Sequence, residues 1–203
     1  MLTRLKTSVQ KWLAFEATIF HRLGFTPNHV SIFGLILALL SALTYWLWES
    51  YSFLLILAPL LMLASGFLDA LDGIIARIYG ETSTFGAFFD SILDRYADAL
   101  ILSGIILGGL TQISWGLIAL FGSLMVSYTR ARAEAAGVKM ESIGLAERAE
   151  RIVILTIASF LSLIWWDALN FGVLLLAILT NLTVIQRAVY FHKASSMVKI
   201  KND

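Results

Sequence analysis

No cysteine occurs anywhere in the chain, which excludes disulfides, thiolate metal sites and cysteine nucleophiles. Carboxylates, hydroxyls, histidines and basic groups are left to carry any chemistry. Charge is scarce as well, at 14% of 203 residues, while 59% are hydrophobic and the mean hydropathy is +0.81. A soluble domain of this size is far less apolar, so the chain reads as an integral membrane protein. Neither a repeat of solenoid period nor a low-complexity stretch is present, and the apolar part is treated as one bundle. The first apolar run begins near Val30, late and long for a secretory signal, and no cleaved signal is expected.

What is present is six apolar segments, at about 30–48, 53–76, 85–110, 115–135, 148–166 and 169–191. Each is long enough to cross about 30 Å of hydrocarbon at 1.5 Å per residue. The expected fold is an all-α integral membrane bundle of six transmembrane helices, spanning residues 25–203. Residues 1–24 precede it. There Leu2, Leu5, Val9, Trp12, Leu13, Ile19, Phe20 and Leu23 recur at a helical period with Arg4, Lys6, Lys11 and Arg22 between them, an amphipathic helix lying in the interface. Thr26-Pro27-Asn28 marks the turn into the first span.

Positive charge segregates. Of 15 Lys and Arg, four precede the first span, Arg77 and Arg95 flank the second connection, five lie from Arg130 to Arg151 and four from Arg187 onward. All of these fall on one side, whereas the opposite loops carry only Glu49 and Asp167. By the positive-inside rule both termini and the basic loops face the cytoplasm.

Five aspartates interrupt the stretch GFLDALDGIIARIYGETSTFGAFFDSILDRYADAL. A carboxylate at membrane depth costs at least ~2.5 kcal/mol on insertion scales, so a function is sought for them. Asp69 and Asp72 are three apart at the cytoplasmic end of span two; Asp90 and Asp94 are four apart at the start of span three. Both spacings put the pair on one helix face, and the short connection lets the two pairs meet at one depth. Four converging carboxylates repel one another and call for cations. Oxygen-only ligands select hard ions, Mg²⁺ first and Mn²⁺ or Ca²⁺ next, in a one- or two-metal site, and such ions also bind substrate phosphates. Gly73 and Gly86 lack side chains where a ligand would approach backbone.

Asp69-Ala-Leu-Asp72-Gly73-Ile-Ile-Ala76-Arg77, followed at fixed spacing by Gly86, Asp90 and Asp94, resembles the signature of the CDP-alcohol phosphotransferases at all eight of its defined positions. The resemblance implies that a CDP-linked lipid binds over two metal ions, an acceptor hydroxyl attacks its β-phosphorus, and CMP leaves. Carried over residue by residue, it implies Asp69, Asp72, Asp90 and Asp94 as metal ligands and Asp94 also as general base. It implies Arg77 at the diphosphate, and Gly73, Ala76 and Gly86 leaving room for the cytidine. Asn28, in a segment similar to one that lies near the nucleotide in this family, joins Asp69, Asp72 and these four on the CDP-lipid side. A homodimer is implied too; the small residues Gly104 and Gly108 could serve that contact or internal packing. Asp98, one turn beyond Asp94, falls outside the signature and is expected to pair with Arg95 or another basic group, with a helping role at the acceptor as the alternative.

A second basic cluster bears on the acceptor. Ser127, Arg130 and Arg132 lie at the end of span four, Arg148 and Arg151 at the start of span five and Arg187 near the end of span six, so three helix ends could converge on a phosphate. This stretch looks like the branch of the family that makes phosphatidylinositol phosphate and archaetidylinositol phosphate from inositol 1-phosphate. The expected reaction is transfer from CDP-diacylglycerol or CDP-archaeol to inositol 1-phosphate. Glycerol 3-phosphate, inositol or serine are the alternative acceptors, and a cation or proton transporter is the alternative of another class.

Overall fold

Thr26 opens the first long helix with a capping box, its hydroxyl accepting from the His29 backbone while the His29 ring accepts from the Thr26 backbone, and Pro27 sits at the first helical turn where its missing N–H costs nothing. The computed structural model describes residues 14–140 and 143–200, with side chains as far as residue 195. Among them run α1 (residues 14–22), α2 (Pro27–Trp46), α3 (Leu54–Tyr79), α4 (Thr84–Leu107), α5 (Ile113–Ala135), α6 (Arg148–Leu161) and α7 (Ala168–Ile200), with one 3₁₀ turn at Trp48–Ser50. No strand occurs among the described residues.

Helix α2 packs on α3 and α4, α5 lies along α7, α6 sits between α3 and α7, and α4 touches α5. Tyr45, Met62, Ile105, Leu169, Val173 and Leu176 fill the shared interior. Several polar groups inside make helix-to-helix bonds: Tyr45 Oη lies 2.6 Å from Ser159 Oγ, Ser41 Oγ donates to the Ala58 carbonyl at 2.8 Å, and Ser65 Oγ to the Gly34 carbonyl at 2.8 Å. Large apolar side chains such as Phe121, Ile157, Phe171, Ile178 and Ile185 point outward, as lipid-facing residues do. Gly104 and Gly108 turn inward. A Cβ at Gly104 would strike the Ala42 backbone, and one at Gly108 the Tyr45 carbonyl, so this stripe serves the α2–α4 contact.

Three helices, α2, α3 and α7, are long and apolar enough to cross a membrane. Helix α4 carries Asp90, Asp94, Arg95 and Asp98 in its first half. Helix α6 stops at Leu161, short of the expected 166, and its 14 residues rise about 21 Å. Exposed Trp165 and Trp166 follow in the loop, where an aromatic belt belongs. Of the expected N-terminal amphipathic helix, residues 1–13 lie outside the described residues. In α1, Ala17 and Phe20 pack with Val30, Leu71 and Ile75. His21 stacks face to face on Tyr79 at 3.5 Å, and its Nε2 lies 3.1 Å from Glu81 Oε1, tying α1 to the α3–α4 connection.

Candidate active site

Helix α3 ends where Gly80 adopts a left-handed φ of 68°, and α4 begins three residues later with the Ser83 hydroxyl accepting from the Gly86 N–H at 2.9 Å. So short a link returns the chain antiparallel and sets Asp72 opposite Asp90. Between α2, α3 and α4 opens a cleft of about 590 Å³. Asn28, Asp72, Gly73, Ala76, Arg77 and Gly86 all line it, as do Ser31, Asp90 and the connection residues Glu81, Thr82 and Ser83. Asp69 lies outside this lining, in a narrower recess shared with Asp72, Asp90, Asp94 and Arg148. A Cβ on Gly73 would stand 3.3 Å from Arg77 Nη1, so the glycine leaves that exposed guanidinium its room. Arg77 makes no ion pair with any described residue.

One carboxylate oxygen each of Asp69, Asp72 and Asp90 lie within 4.8 Å of one another. Three oxygens that close suit a hard divalent cation and no soft one, so this donor set fits the Mg²⁺ or Mn²⁺ anticipated above. Asp94 is adjacent to Asp69 but not within that distance of all three. Its Oδ1 pairs with Nη1 of Arg148, which also takes Oδ1 of Asp69. The four aspartates thus divide into three that converge and one held through an arginine shared with the trio.

Beyond Arg148 lies a second cavity of about 450 Å³, between the ends of α4, α5, α6 and α7 that face the aspartates. Ser127, Arg130, Arg148, Arg151 and Arg187 line it, together with Arg95, Asp94, Asp98 and Glu147. Arg187 is almost fully buried: Nε donates to the Ile143 carbonyl at 2.8 Å, Nη1 to the Val126 carbonyl, and Nη2 lies 3.6 Å from Glu147. Arg132 is not in this lining. It stands two positions after Arg130 on α5, about 200° around the helix, and borders another, mostly apolar cavity with Tyr128, Met140 and Phe191, which Arg187 also lines. Five arginines and three carboxylates line the basic cavity, and Glu134 and Asp69 pair with Arg130 and Arg148 from outside the lining.

Residues 25–188 match the family model described as CDP-alcohol phosphatidyltransferase. The chain belongs to that family. It is 43% identical over 187 residues to the archaetidylinositol phosphate synthase of Pyrococcus horikoshii, covering 92% of this chain and 94% of that one. Among solved structures, the phosphatidylinositol phosphate synthase of Mycobacterium tuberculosis with CDP-DAG bound superposes with a TM-score of 0.77 at 30% identity, over 88% of this chain and 92% of that one. The same enzyme in complex with manganese and citrate gives 0.77 at 30% identity, over 88% of each chain.

Both cavities and all eight signature positions of this phosphatidyltransferase lie inside the matched region. One residue at the site was not placed there from the sequence. Ser31 Oγ lies 2.5 Å from Asp72 Oδ2, and the only signal was a hydroxyl one turn after Pro27 in an otherwise apolar run. Asp98 pairs with basic groups as expected, and they are Arg148 and Arg151 rather than Arg95, which donates to the Ser91 carbonyl at 2.6 Å and lies 3.9 Å from Asp94. Partner choice there depends on where α6 docks, which spacing along α4 does not encode.

Proposed function

We propose that the protein transfers the phosphatidyl or archaetidyl group of a CDP-lipid to inositol 1-phosphate and releases CMP. The observation that carries this is the order of the site: a cleft walled by the nucleotide-side residues, then the acidic trio, then Asp94 with Arg148, then a cavity rich in arginine. A CDP-lipid in the cleft brings its diphosphate between Arg77 and the trio. An acceptor in the basic cavity brings its hydroxyl past Asp94.

In the reaction, the acceptor oxygen forms a bond to the β-phosphorus, the bond from that phosphorus to the CMP oxygen breaks, and Asp94 takes the hydroxyl proton. Two Mg²⁺ or Mn²⁺ ions at Asp69, Asp72 and Asp90, with Asp94 at the edge, would supply charge neutralisation of the diphosphate. Arg77 adds a fixed positive charge where CMP gains its negative one. Arg148, gripping Asp69 and Asp94 together, holds the base beside the trio. Ser127, Arg130, Arg148, Arg151 and Arg187 receive the acceptor phosphate. A phosphomonoester carries about −1.5 to −2 charges at pH 7 and suits a cavity lined by five arginines, to which unphosphorylated inositol offers no anionic group. The inositol phosphate synthases to which the chain is similar support the same acceptor.

The segregation of Lys and Arg supports six spans with the site at the cytoplasmic leaflet, both termini on that side and α1 in the interface. The apolar interior argues against a polar path to the far face, as a transporter requires. A homodimer uses a face other than the Gly104 and Gly108 stripe, which α2 covers. Because the chain is free of cysteine, single cysteines at Glu49 and Lys193 report sidedness directly: only the former is expected to label from outside.

The decisive assay is CMP release by the purified protein with CDP-diacylglycerol or CDP-archaeol and Mg²⁺ or Mn²⁺. Inositol 1-phosphate, glycerol 3-phosphate, inositol and serine are offered in parallel. Turnover with inositol 1-phosphate is expected; turnover only with another acceptor overturns the assignment of the basic cavity, and none with any overturns the reaction.

A further inference from the structure

Asp98 has no place in the eight-position signature, and the reaction above gives it no task. Its carboxylate nevertheless ties the basic cavity together. Oδ2 receives Nη2 of Arg151, and Oδ1 lies 3.5 Å from Nε of Arg148. The pair is sheltered, with 13% of the Asp98 side chain and 5% of that of Arg151 exposed. Arg151 makes its other bond from Nη1 to the Ala146 carbonyl at 3.2 Å, just before α6 begins. Arg148 is claimed on its other edge by Asp69 and Asp94. Among the described residues, Asp98 is the one carboxylate that ion-pairs with both arginines at the start of α6.

We infer that Asp98 is a positioning residue for the acceptor phosphate, holding the forks of Arg148 and Arg151 in the cavity; this rests on the acceptor reading just proposed. A planar guanidinium binds phosphate with little loss of freedom only when its plane is already fixed. Without Asp98, Arg148 keeps the Asp69 and Asp94 carboxylates as its only ion-pair partners and turns toward them. Arg151 is then held by a single carbonyl.

The alternative is that Asp98 is a bare counter-charge competing with the acceptor for the arginines. The two roles predict opposite signs. Removing a competing negative charge strengthens attraction for a phosphate dianion, so Asp98→Asn would lower the acceptor KM. Removing a positioning group raises it.

The experiment titrates inositol 1-phosphate at saturating CDP-lipid in the purified full chain, with acceptor binding measured by calorimetry beside CMP release. For Asp98→Asn the acceptor KM and Kd are expected to rise about tenfold or more, while the CDP-lipid KM stays within about twofold. Asp98→Glu, which keeps the charge, is expected to recover part of the loss. If Asp98→Asn does not stay folded and monodisperse, Arg151→Lys removes the same fork and is expected to raise the acceptor KM selectively. An acceptor KM that is unchanged or lowered in the folded variant overturns the inference alone. A wild type that does not use inositol 1-phosphate overturns the acceptor reading, and this inference with it.

Discussion

Ser31 on α2 sets its hydroxyl 2.5 Å from Oδ2 of Asp72 on α3, inside the wall of the nucleotide-side cleft. Both side chains are buried. The Pro27 carbonyl, at 3.1 Å, is the only other acceptor of that hydroxyl, so the shorter contact orients Asp72 toward Asp69 and Asp90. Groups that hydrogen-bond a ligating carboxylate commonly contribute tenfold or more to metal affinity. Ser31→Ala is therefore expected to raise the Mg²⁺ or Mn²⁺ concentration for half-maximal CMP release by about tenfold or more, and Ser31→Thr to keep most of it. An unaltered metal dependence in Ser31→Ala would assign the hydroxyl to the α2 backbone only.

Gly86 tests the cleft from the opposite wall. A Cβ there would lie 2.9 Å from the Ser83 hydroxyl that caps α4 and 3.4 Å from Oδ1 of Asn28. Gly86→Val puts three carbons into that space. A misfit of one or two carbons in a binding site is worth roughly tenfold or more, so the CDP-lipid KM should rise by at least about that factor. The acceptor KM should not move, because Gly86 has no part in the basic cavity. Equal rises in both would mean that the substitution disturbs α4 as a whole.

How much of this was legible beforehand follows from the range of each interaction. The helix positions and the pairing of Asp69 and Asp72 with Asp90 depend on hydropathy, helical period and one short link, all local. The nucleotide-side residues were implied by the family resemblance, and all but Asp69, about one turn before Asp72 on α3, line the cleft. Asp94 was grouped with the other aspartates because its spacing puts it on their face; Arg148, brought by α6 from more than fifty residues away, bridges it to Asp69, a link that spacing along α4 does not encode. Arg130 and Arg132 were grouped by proximity in sequence, although a helix turns two such neighbours to nearly opposite sides. The Gly104 and Gly108 stripe left two readings open, and only the docking of α2 selects internal packing.

Asp94 lines both the narrow recess at the trio and the basic cavity, as does Arg148. That position between the two substrates suits a proton acceptor. Asp94→Asn keeps the size and polarity of the side chain and removes its basicity. CMP release is expected to fall by about 10² to 10⁴-fold, with CDP-lipid binding in the presence of Mg²⁺ nearly unchanged. Calorimetry with the CDP-lipid separates the two quantities. Near-normal turnover in Asp94→Asn would remove it as the base, and a parallel loss of CDP-lipid binding would make it chiefly a metal ligand.

Arg187 and Arg132 give the sharpest comparison on the acceptor side, because sequence reasoning treated them alike. Arg187 reaches into the basic cavity and bonds the carbonyls of Ile143 and Val126, so Arg187→Ala removes a phosphate donor and leaves the Ile143 carbonyl without that partner, while the Val126 carbonyl keeps the Thr129 hydroxyl. Unsatisfied buried groups cost about 1–3 kcal/mol each, and a lower thermal midpoint should accompany the loss of affinity. Arg187→Lys keeps the charge without the fork, and its acceptor KM should lie between those of the wild type and Arg187→Ala. Arg132 is exposed on the other side of α5, and Arg132→Ala should leave the acceptor KM within about twofold, the scale of long-range charge effects in screened solvent. Titrating inositol 1-phosphate against the three variants checks this. If Arg132→Ala raises the acceptor KM as far as Arg187→Ala does, the acceptor extends across the end of α5 into the apolar cavity, and the basic cavity is only part of its site.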